Sequence, residues 1–194
     1  MLNYFNSITS EISDSIDIHN LLLQNDEIQK NINTLICKII ESLQSGGKVI
    51  LSGNGGSFSD AQHIAAEFVG RFYLERQPMP AHLLGSNLSS LTAIANDYDY
   101  KSVFVREFDS LASKKDILIA ISTSGNSSNI IELIKSAKDK DVYTMALTGL
   151  DGGLISNICN TIKIPSNSTP RIQECHILIG HIVALNVERH LYGK

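Results

Sequence analysis

Two short segments of this 194-residue chain are made of residue types that hold an anion without a cation. Ser52-Gly53-Asn54-Gly55-Gly56-Ser57 and Ser122-Thr123-Ser124-Gly125-Asn126-Ser127 each follow a short apolar run and lead into a helical pattern. Glycines let a backbone approach a ligand closely. Hydroxyls donate hydrogen bonds, and the amino end of a helix presents unpaired N–H groups and the positive end of its dipole. Neither familiar nucleotide loop fits the first segment. A dinucleotide fingerprint needs Gly or Ala where Phe58 stands, and an acid at the end of the next strand, where Gly85-Ser86-Asn87 follows. The phosphate loop of nucleotide hydrolases needs a lysine that is missing here. One such loop alone reads as an ordinary turn with an N-capping serine. Two at equivalent ends of parallel strands point to a phosphate or phosphosugar site.

Directly after the first loop, His63 and Glu67 are four residues apart and share a helix face. That spacing suits two ligands of one metal, or a base beside the group that tunes it. Asp60, His63, Glu67 and Arg71 equally make a solvated polar stripe, with Glu67 and Arg71 as a surface pair. Near the end of the chain, Gln173 and His181 project about 80° apart and about 12 Å along an ideal helix. One ideal helix can hardly aim both at one small ion. Long side chains lean together, the helix starts irregularly, or neighbouring subunits supply different ligands. By its neighbours Ile179, Gly180, Ile182 and Val183 alone, His181 reads as a packed residue. His19, His82 and His190 carry no functional signal.

The elements that must position these residues follow from the periodicity. Ile28, Ile32, Leu35, Ile36, Ile39, Ile40 and Leu43 form one helical stripe, capped by Asn25 or Asp26 and ended by Gly46-Gly47. A less regular helix precedes it at about 7–23. Short apolar strands are expected at 48–52, 81–84, 116–121, 142–147 and 161–164. Helices are expected at about 59–71, with Ser59 and Gln62 as a capping box, and from the second loop to about Lys138. Residues 89–111 hold one or two helices broken near Asn96-Asp97, and a last helix starts at Pro170. Strands alternating with helices indicate an α/β fold, a doubly wound and mainly five-stranded parallel sheet flanked by helices, with additional N-terminal helices over 1–46. Such sheets bind ligands beyond the carboxyl ends of their strands, where both loops fall.

Composition sets the outer bounds. The chain carries 16 basic and 20 acidic side chains, a net charge of −4, which disfavours holding nucleic acid by counterion release. The same charge does not exclude a phosphorylated sugar, because amides, helix ends and hydroxyls can supply a local positive potential. The longest apolar run, 117–121, is far short of the ~20 residues that span a bilayer, and the first residues show no secretory pattern, so a cytoplasmic location is expected. Cys37, Cys159 and Cys175 form no CxxC pair and imply neither a disulfide framework nor a thiolate zinc site.

The segments SGNGGSFSDAQHIAAEFVGRF, AND at 95–97, ISTSGNSSNI, LTGLDGG and RIQECHILIGH, in this order, resemble those of the phosphoheptose isomerases, members of the sugar isomerase (SIS) domain superfamily. The resemblance covers nearly the whole chain and implies a single SIS domain over 1–194, with N-terminal helices packed on it and on neighbouring subunits. It implies conversion of sedoheptulose 7-phosphate to D-glycero-D-manno-heptose 7-phosphate, the first step toward heptose units of lipopolysaccharide, capsule or surface-layer glycans. It further implies a homotetramer with active sites between subunits, a small-molecule phosphosugar as substrate, no nucleic-acid or membrane partner, and one zinc ion per subunit. Under this resemblance Glu67 and His181 are the acid–base pair, and His63, Glu67, Gln173 and His181 hold the metal. Asn54, Gly55, Gly56, Ser57, Asn96, Asp97, Ser122, Thr123, Ser124 and Ser127, together with Glu67 and Gln173, contact substrate. Pro170 departs from some relatives, which carry an acid there, and leaves Arg171 without that neighbour. Two rivals share the fold: a noncatalytic phosphosugar-binding or replication-initiator-associating protein, and an isomerase of hexosamine or other ketose phosphates. The complete His63, Glu67, Gln173 and His181 set favours an enzyme over the noncatalytic protein, which needs no acid–base groups.

Overall fold

Runs such as Val49–Ser52 (β1) and Ile117–Ile121 (β3) are buried at every position, which is what a strand covered on both faces requires. With Ala81–Leu83 (β2), Tyr143–Thr148 (β4) and Asn160–Lys163 (β5) they form a five-stranded sheet in the order β2-β1-β3-β4-β5. All four strand pairs are parallel. The computed structural model describes residues 4–193.

The period-two geometry of the strands sorts their side chains into two cores. Val49, Leu51, Ile117, Ile119, Met145 and Ile162 face Asp26–Gln44 (α2), Gly56–Val69 (α3) and Thr169–Tyr192 (α7). Ile50, Leu118, Ala120 and Ala146 face Val103–Leu111 (α5) and Ser128–Asp139 (α6) on the opposite side. The chain leaves β1 toward β2 on one side and returns to β3 on the other. The strand order therefore reverses between β1 and β3, and the two serine–glycine loops leave the sheet on either side of that switch point.

Two local expectations are corrected. The third helix begins at Gly56 rather than Ser59, so the Ser59–Gln62 capping box does not form. Gly55 stands at the N-cap with φ +55°, and Ser57 N–H already bonds Asn54 O at 3.1 Å, which starts the helix inside the loop motif. That helix ends at Val69, short of Arg71. Residues 89–111 resolve into Leu88–Asp97 (α4), a short 3-10 turn at Tyr100–Ser102 and α5, with the break just past Asp97. Phe5–Leu23 (α1) buries only Leu22, while Ile8, Ile12 and Ile16, spaced at four residues, are each more than half exposed. Among the described residues no helix is long and apolar enough to cross a membrane.

Candidate functional site

The two loops are tied together before any ligand arrives. Asn54 and Asn129 exchange side-chain amide hydrogen bonds of 2.9 and 2.8 Å, joining the first loop to the first turn of α6. Tyr100 Oη donates a third bond to Asn54 Oδ1 at 3.0 Å. Asn54, expected as a substrate contact, is held by these three side-chain bonds. Its partners Asn129 and Tyr100 carry no signal in spacing or residue type that marks them in the sequence. Ser57 and Ser122 are buried, and Ser122 Oγ lies 3.0 Å from Ser127 Oγ. Ser124 Oγ accepts the Asn126 N–H at 3.2 Å, and the Asn126 side chain bonds Ser124 O and the Leu154 N–H, folding the second loop onto the LTGLDGG turn. A pocket of about 180 Å³ lies beside this loop, lined by Thr123, Ser124, Asp151, Ser166 and Thr169 among others. Asn96 and Asp97 are exposed at the end of α4 and hydrogen-bond each other at 2.8 Å.

The titratable cluster is assembled by packing between α3 and α7. A Cβ on Gly180 would lie 2.4 Å from Ile64, so the glycine lets α7 come close against α3. Gln173 rests on Gly56 at one place along this seam and Gly180 on Ile64 at the next, so the two helices run in the same direction. His181 then falls beside His63, with the rings 5.0 Å apart and nearly perpendicular. His63 Nε2 lies 3.1 Å from Glu67 Oε1, and ligand atoms of His63, Glu67 and His181 all fall within 4.8 Å of one another. Two imidazoles and a carboxylate at this separation are a donor set that suits zinc. Gln173 lies against the amino end of α3, with its Nε2 2.5 Å from where a Gly56 Cβ would stand. Within one chain, three of the four expected ligands, His63, Glu67 and His181, come together at one place.

His181 is not the packed histidine of the last helix; His176 is. It is fully buried, its Nε2 lies 3.3 Å from Thr148 O, and burial pushes its pKa down to about 4. Asp60, one turn before His63, has a buried Oδ2 without a hydrogen-bond partner, and burial raises its pKa against the opposing pull of His63. Arg171 finds other partners than an acid at 170: Glu174 at 2.7 Å and the Glu11 carbonyl.

Residues 17–149 match the SIS domain family. The chain is 46% identical to the phosphoheptose isomerase of Aneurinibacillus thermoaerophilus, over 95% of this chain and 94% of that protein. It is 43% identical to phosphoheptose isomerase 2 of Campylobacter jejuni, over 100% and 97%. Among solved structures, the phosphoheptose isomerase of Neisseria gonorrhoeae superposes with a TM-score of 0.90 at 34% identity, over 96% of this chain and 99% of that one. The enzyme from Francisella tularensis superposes at 0.92 with 31% identity, over 97% and 100%.

Proposed function

The chain belongs to the phosphoheptose isomerases of the SIS domain family, and from that premise we propose how its own residues interconvert sedoheptulose 7-phosphate and D-glycero-D-manno-heptose 7-phosphate. The carrying observation is the convergence of His63, Glu67 and His181 on one seam, in the helix that springs from the first serine–glycine loop.

The phosphate is held by amides at the amino ends of α3 and α6 and by the hydroxyls of Ser57, Ser122, Thr123, Ser124 and Ser127. Gly55 and Gly56 keep the first loop open to close approach, and Asn96 and Asp97 contact the sugar from the end of α4. His181 exchanges protons with the sugar oxygens and assists ring opening. Glu67 takes the proton from C1 of the open ketose, leaving an enediolate, and His181 protonates O2. The proton on O1 leaves to His181, and Glu67 returns its proton to C2, which completes the aldose. Atoms balance without a redox partner. Gln173 orients the substrate from its place above Gly56.

His63, Glu67 and His181 would hold one zinc ion per subunit, with Gln173 as a fourth ligand. When bound, zinc supplies Lewis-acid polarisation of a sugar oxygen. Chelation is expected to lower both the thermal midpoint and turnover; no change in either would remove the metal from the account. A homotetramer is supported by the half-exposed Ile8, Ile12 and Ile16 stripe on α1, which a second copy would cover, and a cytoplasmic location fits a phosphorylated substrate.

Product analysis with purified protein and a panel of ketose phosphates tests the reading. The heptulose phosphate is expected to give an aldoheptose 7-phosphate. Turnover of a hexosamine phosphate in preference would point to the related isomerase, and binding without turnover to a noncatalytic protein.

A further inference from the structure

A buried ion pair lies under the catalytic cluster and takes no part in the chemistry described above. The Arg76 and Glu188 side chains are fully shielded from solvent and meet at 2.8 Å. Glu188 stands on α7, two turns beyond His181, so both face the same side of that helix. Its carboxylate also accepts three successive backbone N–H groups, from Phe72 at 3.0 Å, Tyr73 at 2.8 Å and Leu74 at 3.0 Å. The Arg76 guanidinium donates to the carbonyls that end α3. It reaches Glu67 O at 2.7 Å, Phe68 O at 3.0 Å and Gly70 O at 3.3 Å, with Gln77 O at 3.0 Å beyond them.

Two consequences reach the cluster. The backbone of Glu67 itself is pinned by Arg76, because carbonyls near a helix end have no partner within the helix. The Phe72 N–H is pinned by Glu188, and the Phe72 ring lies 5.7 Å from the His181 ring. The same ion pair therefore fixes the main chain under one member of the acid–base pair and the aromatic wall against the other. An apolar pair of similar volume often matches a buried ion pair in stability, so stability alone is a weak reason for this arrangement. A planar fork that reads several carbonyls at fixed angles is a device for geometry.

We infer that Arg76 and Glu188 are positioning residues for the isomerisation, holding the end of α3 and the 70–76 strap against α7 so that Glu67 and His181 face one substrate. The inference rests on the assignment of Glu67 and His181 as the acid–base pair. Misplacement of reacting groups by about 1 Å can cost about a hundredfold in rate while leaving substrate binding intact.

The test compares kcat, KM and thermal melting for Arg76→Lys, Glu188→Gln, Phe72→Ala and Glu67→Gln with sedoheptulose 7-phosphate. Arg76→Lys keeps the charge and loses the fork. Phe72→Ala leaves the ion pair intact at a half-exposed position, so it remains a folded test if either charge variant fails to fold. The expected result is an inactive Glu67→Gln, with kcat in Phe72→Ala and in the folded charge variants lower by about tenfold or more and KM within about threefold. Wild-type kcat per folded molecule in those variants, beside an inactive Glu67→Gln, overturns the positioning role alone, as does a rise in KM at unchanged kcat. Wild-type kcat in Glu67→Gln overturns the acid–base assignment and the inference with it.

Discussion

The serine–glycine loops and the α3–α7 seam are built in different ways. Each loop is a continuous run of six residues whose amides, hydroxyls and following helix are already adjacent in the chain. The seam joins His63 and Glu67 to His181 across more than a hundred residues of sequence, through the contact of Gly180 with Ile64 and the buried Arg76–Glu188 pair. On the proposed reading, holding an anion is a local property of the chain, whereas moving a proton is a property of packing. Loop changes should therefore act mainly on KM and seam changes on kcat.

Glu67→Gln should break the seam most completely. Loss of a positioned base costs on the order of a thousandfold in kcat, with KM little changed, readable by steady-state kinetics. The next largest effect is one of pH. His176 is neutral when folded, with a pKa of about 4, and titrates near 6.5 when unfolded, so the unfolded chain binds the extra proton in that window. Its contribution is fully present above pH ~6.5 and lost as pH falls toward 4, at most about 3 kcal/mol, and denaturant melts across that range should show it. A His176→Phe variant should flatten the loss. Gly180→Ala places a methyl against buried Ile64 and is expected to destabilise by about 1–3 kcal/mol and lower kcat more than it raises KM. Ser124→Ala belongs to the other region and should raise KM by about tenfold, the worth of one hydrogen bond to a charged group, at nearly constant kcat. A Ser124→Ala that lowered kcat alone would erase the distinction between the two regions.

The same contrast explains how much could be read in advance. The order of strands and helices was legible because β1 and β3 are unbroken apolar runs and α2 has a regular stripe. The start of α3 was misplaced because Ser59 and Gln62 make a plausible cap, whereas the observed start depends on Gly55 at positive φ. The loops stand out in the sequence by residue type alone, because each is one continuous run. The seam does not: His63 and Glu67 read equally as a solvated face, and His181 as a packed residue, until resemblance set them together. Nothing in the spacing showed that His176 would be the packed histidine, that Gln173 would settle on Gly56, or that Asn54 would bond Asn129 and Tyr100. Those outcomes depend on contacts between segments far apart in sequence.

The most direct measurement follows sedoheptulose 7-phosphate in deuterium oxide by nuclear magnetic resonance, with the wild-type protein and with Glu67→Gln. The account predicts that the wild type forms an aldoheptose 7-phosphate, with deuterium at C2 in those turnovers where the proton on Glu67 exchanges with solvent before its return. Glu67→Gln should bind the sugar phosphate yet neither exchange nor convert it. Exchange and conversion at the wild-type rate by Glu67→Gln, or no conversion by the wild type, would contradict it.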